Sequence, residues 1–151
     1  MNYLKIRGHK IAFEDLNPQS EEVILLVHGH PFDHTMWNYQ HEALKDYRLL
    51  LPDLKGYGQS ATNFEQIFIE NQALDLALLL DELRIEKVHL IGLSMGGQII
   101  IEFQRLFPAR VKSLIIAAST PTAETEESHK NRLALAAVSY THLTLPTILL
   151  V

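Results

Sequence analysis

The chain has 151 residues, a length that fits one domain, and 47% of them are hydrophobic against 21% charged, the balance of an ordinary globular protein. Thirteen basic and eighteen acidic residues leave a net charge of −5 with no basic stripe to neutralise phosphates, which argues against nucleic acid as a partner. The lack of cysteine excludes disulfides and thiolate metal sites, Met1 to Lys10 lack a signal-peptide core, and no run approaches the ~20 apolar residues of a membrane span. A cytoplasmic protein without a membrane partner is the expectation.

Tyr3–Ile6 and Ile11–Glu14 read as a hairpin around Gly8. Val23–Val27 is a continuous β-branched and leucine run, as in a strand buried on both faces. His28-Gly29-His30-Pro31 ends it. Met36–Leu44 is a short helix candidate, and Tyr47–Leu51 is a third buried strand closed by Pro52. A Gly- and Ser-containing loop leads to a long helix over Phe64–Leu83, with Ile67, Leu74, Leu78 and Leu79 expected on its inner face. Val88–Ile91 is the next strand, Met95–Phe107 a helix stopped by Pro108, and Val111–Ala117 another buried strand. Strands alternating with helices imply a mostly parallel α/β sheet. Right-handed crossovers then bring the strand ends, and the site, to one edge.

The chemistry is carried by three motifs. Ser94 stands in Gly92-Leu93-Ser94-Met95-Gly96, between a strand and a helix. That context makes it a nucleophile elbow: the turn needs small residues on both sides, exposes the hydroxyl and aims the Met95 N–H at a bound oxyanion. In His28-Gly29-His30-Pro31 the N–H of His30 is the second candidate oxyanion donor. In Asp53-Leu54-Lys55-Gly56-Tyr57-Gly58-Gln59-Ser60, Gly56 and Gly58 permit tight turns, and Asp53 is read as a structural anchor of the loop, not a catalytic acid.

In this order and spacing the three motifs resemble the α/β-hydrolase superfamily over about Tyr3 to Arg132. His28-Gly29-His30-Pro31 with Trp37 downstream resembles its oxyanion turn, Asp53–Ser60 its Asp-x-x-Gly-x-Gly-x-Ser loop with Lys55 where arginine is commoner, and Gly92–Gly97 its elbow. The nearest likeness is to small esterases and lactonases of the 3-oxoadipate enol-lactonase type. The resemblance implies the N-terminal part of that fold, with about six core strands and helices on both faces. It implies hydrolysis of a small-molecule ester or lactone through an acyl-enzyme on Ser94, without a cofactor. It also implies a triad in the order serine, acid, histidine. Downstream of Ser94 there is no aspartate and there are only two histidines, His129 and His142, neither after a final strand, so the triad acid and histidine are expected to be absent from this chain. The serine argues against the haloalkane dehalogenase and epoxide hydrolase branches, which use aspartate.

The expected organisation is 1–120 as the N-terminal part of the core, 121–137 as the start of a lid and 138–151 as a non-native tail, with the remaining lid and C-terminal strands missing. Val138-Ser139-Tyr140-Thr141-His142-Leu143-Thr144-Leu145-Pro146-Thr147 resembles a translated sequencing adapter. The strand at Val111 is then an unprotected edge, and the chain as written is expected to be poorly soluble and nearly inactive. Two other readings stand beside the hydrolase. One is a non-catalytic binding protein of the same fold. The other is a zinc hydrolase through His28, His30 and His34, since His28 to His34 resembles a His-x-His-x-Asp-His signature with one extra residue before Asp33.

Overall fold

The computed structural model describes residues 1–60, 67–120, 125–128, 130–131 and 133–134. The chain divides into two units, Met1–Pro121 and Thr122–Val151. In the second, residues 126–128, 130–131 and 133–134 are helical. The rest of the expected lid, and the adapter-like tail, lie outside the described residues.

Six strands form one sheet in the first unit: β1 (Asn2–Ile6), β2 (His9–Leu16), β3 (Val23–Val27), β4 (Arg48–Pro52), β5 (Val88–Leu93) and β6 (Val111–Ala117), in the order β1-β2-β4-β3-β5-β6. β1 and β2 are the expected hairpin, turned at Arg7 (φ 47°) and Gly8 (φ 86°). Two successive positive φ values suit the twist of a two-residue hairpin turn. β2 joins β4 antiparallel, and β4, β3, β5 and β6 run parallel.

Alternate residues of the central strands enter two cores. Val23, Leu25, Val27, Leu50 and Leu90 pack against α1 (Ile69–Glu82) and α2 (Met95–Leu106). Ile24, Leu26, Leu49 and Leu51 pack on the other face against Trp37, in a 3₁₀ helix over His34–Gln40. Helical segments thus cover both faces of a sheet whose middle strands are mostly apolar, with Arg48 at the start of β4 and His89 near the start of β5 as the polar exceptions. α2 buries Gly96, Ile99, Ile100 and Phe103, spaced as one stripe of a 3.6-residue helix.

Four local expectations need correction. The helix expected at Met36–Leu44 is a 3₁₀ helix that starts earlier, because the Asp33 side chain caps it by accepting the Thr35 N–H. The helix expected from Phe64 begins at Ile69 among the described residues, since Phe68 is extended. Its inner face is Ala73, Leu76, Ala77, Leu79 and Leu80, whereas Leu78 and Ile67 are exposed. Of the expected residues Leu79 is fully buried and Leu74 half-buried, and the stripe carries two alanines, which let α1 lie close to its neighbours. Finally, β6 is not buried on both faces. Among the described residues it pairs with β5 alone, and Ile115 and Ile116 are 54% and 42% exposed. An apolar run marks a strand built for two covering layers and is silent on whether those layers are present. No described helix is long and apolar enough to cross a membrane.

Candidate active site

The parallel strands β3, β4, β5 and β6 end on the same edge, at His28, Asp53, Ser94 and Ala118 respectively. β3 and β5 are neighbours, but the chain leaves β3 toward β4 and returns on the other side for β5. The 3₁₀ helix after β3 and α2 after β5 leave on opposite faces. In open α/β sheets ligands bind where the strand order reverses in this way, and the two turns at that point are those of His30 and Ser94.

Ser94 has φ 53° and ψ −117°, outside the regions that a side chain readily adopts. Its N–H donates to the Ala117 carbonyl at 2.9 Å, tying the turn to the end of β6. The glycines are there because backbones cross. A Cβ on Gly92 would lie 2.5 Å from the Gly96 carbonyl oxygen, and one on Gly96 would strike Val27 O and lie 2.6 Å from His28 O. Ser94 itself is exposed, and its hydroxyl has no hydrogen-bond partner among the described residues. Met95 opens α2, so its N–H is one of the helix's unused N-terminal donors.

The turn after β3 packs directly on this elbow. A Cβ on Gly29 would sit 3.3 Å from Ser94 Cβ. The Phe32 N–H closes the turn on Gly29 O at 3.0 Å, and the His30–Pro31 peptide bond is cis. The His30 N–H donates to no described group. Fully buried His28 sets the base of the turn. Its Nε2 accepts the Leu54 N–H at 3.0 Å, so Nδ1 carries the proton that is given to Gly29 O at 2.9 Å. Burial holds this imidazole below its ordinary pKa, against the opposing pull of the Gly29 carbonyl and of Asp53.

Asp53, with no exposed surface, organises the third motif. Its Oδ1 accepts the His34 N–H at 2.9 Å and His34 Nδ1 at 2.6 Å, and its Oδ2 accepts the Gln59 N–H at 2.7 Å. The Ser60 hydroxyl donates to Asp53 O at 2.6 Å and accepts the Ala12 N–H at 2.9 Å. Gly56 (φ 92°) and Gly58 (φ 49°) turn the loop, and a Cβ on Gly58 would enter the Asp53 carboxylate. Gln72 of α1 clamps the loop from below: its Oε1 accepts the Lys55 N–H at 3.2 Å and its Nε2 donates to Lys55 O at 2.9 Å. Neither Gln72 nor His34 stood out in the sequence as a support of this loop, because each acts on a residue distant in the chain.

His28, His30 and His34 do not share a metal position. Both His28 nitrogens are engaged, His34 Nδ1 is on Asp53 and His30 Nδ1 lies 3.1 Å from the Tyr57 hydroxyl. Asp33, His34 and Asp53 do bring ligand atoms within 4.8 Å of one another, but the last two bind each other and Asp33 caps the 3₁₀ helix. The geometry counts against a zinc reading. Among the described residues no histidine hydrogen-bonds Ser94, and His129 and His142 lie outside them. An open cleft lined by Asp81, Ile85, Lys87 and Arg110 sits at the starts of β5 and β6, the far edge of the sheet from Ser94.

The sequence profile of the alpha/beta hydrolase fold matches residues 22–141. The chain is 32% identical over 127 residues to 3-oxoadipate enol-lactonase 1 of Acinetobacter baylyi, covering 83% of this chain and 47% of the relative. It is 32% identical over 128 residues to a putative 2-succinyl-6-hydroxy-2,4-cyclohexadiene-1-carboxylate synthase of Bacillus subtilis, with coverage of 83% and 47%. The structure of a thermophilic esterase from Thermogutta terrifontis (malate bound) superposes with a TM-score of 0.84 at 35% identity, covering 92% of this chain and 53% of that one. The chain spans about half the length of these relatives.

Proposed function

Given that the chain belongs to the α/β-hydrolase fold family, we propose that it carries the nucleophile and oxyanion half of a serine hydrolase acting on a small ester or lactone. The observation that supports this most is the backbone of Ser94, at φ 53° and ψ −117° between β5 and α2, with the Gly29 turn packed on its Cβ. Family membership alone would not select hydrolysis, since the relatives include both a lactonase and a synthase by name.

In this reading a histidine base takes the Ser94 proton, and the oxygen attacks the substrate carbonyl. The carbonyl π electrons move onto oxygen, which the His30 and Met95 N–H groups receive. Collapse expels the alcohol, protonated by the histidine. Water then cleaves the acyl-serine by the same route, releasing the acid and restoring Ser94. The base and its carboxylate partner belong, we propose, to the half of the relatives' length that this chain does not match. On its own the chain is then nearly inactive.

A second reading keeps the fold without the chemistry: a small-molecule binding protein. The observation that favours it is that, among the described residues, no histidine hydrogen-bonds the Ser94 hydroxyl. A fluorophosphonate probe with mass spectrometry, applied to the gene product carried to its relatives' length, separates the two. A hydrolase is labelled on Ser94 and a binding protein is not.

A further inference from the structure

One side chain of the loop after β4 reaches both turns. The Tyr57 hydroxyl lies 3.1 Å from His30 Nδ1 and donates to Met95 Sδ at 3.4 Å. Its ring meets His30 edge-on at 5.8 Å between centroids and His28 at 5.2 Å. These contacts link residues 27 and 38 positions apart in the chain.

We propose that Tyr57 is a positioning residue that holds the His30 turn and the Met95 helix start at a fixed separation, and so presets the two oxyanion donors. This rests on the reading of Ser94, His30 and Met95 given above. A phenol has one proton. With that proton on the Met95 sulfur, His30 must donate from Nδ1 to the phenol oxygen, which sets the imidazole tautomer as well as its place. Burial keeps the phenol protonated by raising its pKa. The neighbouring anchors are rigid: His28 is clamped by the Leu54 N–H, and the loop itself by Asp53 and Gln72. Without the hydroxyl, the turn and the helix start keep their internal bonds and the packing of Gly29 on Ser94, but lose the hydrogen-bonded link between the His30 and Met95 side chains. Donors fixed before reaction stabilise an oxyanion without reorganising, so a loosened separation weakens the transition state and leaves the bound ester nearly untouched.

Tyr57→Phe keeps the ring contacts and removes only the tie. In the gene product of the relatives' length, with a p-nitrophenyl acyl ester, kcat is expected to fall about tenfold while KM changes less than about twofold. Affinity for an alkylboronate, whose oxygen occupies the same hole, falls by the same factor, and the melting midpoint stays in place. Met95→Leu keeps bulk, removes the sulfur acceptor and is expected to lose rate similarly, with the double variant no slower than the worse single one. Full kcat and boronate affinity in Tyr57→Phe would overturn the proposal, and so would raised KM with intact kcat. An inactive Ser94→Ala beside a fully active Tyr57→Phe removes only the Tyr57 role. A fully active Ser94→Ala removes the underlying reading as well.

Discussion

His34 Nδ1 lies 2.6 Å from Asp53 Oδ1, and the same carboxylate oxygen also receives the His34 backbone N–H. This pair joins the start of the 3₁₀ helix after β3 to the end of β4, and Gln59 completes the carboxylate's shell through Oδ2. Asp53→Asn preserves shape, yet whichever way the amide turns, its NH₂ faces a donor. A loss of about 3 kcal/mol is expected in urea unfolding, the scale for stranding buried polar groups. An unchanged midpoint would show that the shell carries no stability.

The elbow glycines should differ sharply from the hairpin glycine. A methyl on Gly96 runs into the Val27 and His28 carbonyls, while one on Gly8 meets nothing within 4 Å. Gly96→Ala is expected to cost about 3 kcal/mol or to prevent folding, since backbone has to move. Gly8→Ala bears only the left-handed strain at φ 86°, about 1 kcal/mol. Equal losses measured side by side would mean that the close approach at Gly96 is unimportant.

Acid should unfold the protein partly through His28. Its folded pKa lies below the ordinary 6.5 because burial opposes the charged ring. The unfolded chain takes up this proton near 6.5 and the folded one resists it. The contribution is therefore complete above about pH 6.5 and is lost as pH falls below that value through the folded pKa, at up to about 1.4 kcal/mol per pH unit. His28→Gln, which can still accept from Leu54 N–H and donate to Gly29 O, should be less stable at neutral pH and show a flatter profile. The difference between the two stability-versus-pH curves checks this; parallel curves would assign the acid sensitivity elsewhere.

The outer edge of β6 predicts behaviour in solution, since adjacent Ile115 and Ile116 point to opposite faces of the sheet and both are exposed. Ile115 and Ile116 are apolar and exposed at the edge of the described sheet. The 151-residue chain is expected to associate, and Ile115→Lys with Ile116→Lys to raise its soluble fraction several-fold at a stability cost below about 0.5 kcal/mol. Sedimentation of both forms measures it, and an already monomeric parent would contradict it.

Much of the frame was legible because central strands of a parallel sheet must be apolar on both faces. Val23–Val27 and Leu49–Leu51 are such runs, and Val88–Ile91 is one but for His89. The elbow was legible because Gly92 and Gly96 answer a backbone crossing that leaves a local signature around Ser94. The phase of α1 was not: choosing between Leu78 and the Ala73–Ala77 stripe depends on how closely its neighbours approach, which chain order does not state. Nor were the ties made by His34, Gln72 and Tyr57. Each joins residues from separate strand ends, and neither spacing nor hydrophobicity marks a side chain for a distant partner.

Whether Ser94 is a nucleophile is read out most directly by turnover of an activated acyl ester by the gene product of the relatives' length, with and without Ser94→Ala. A nucleophilic Ser94 gives a burst of acyl-enzyme in the parent, and in the variant a loss of the burst together with a fall in kcat of at least about a thousandfold, with folding intact by circular dichroism. Turnover that survives the substitution would contradict it and leave the elbow as a structural turn.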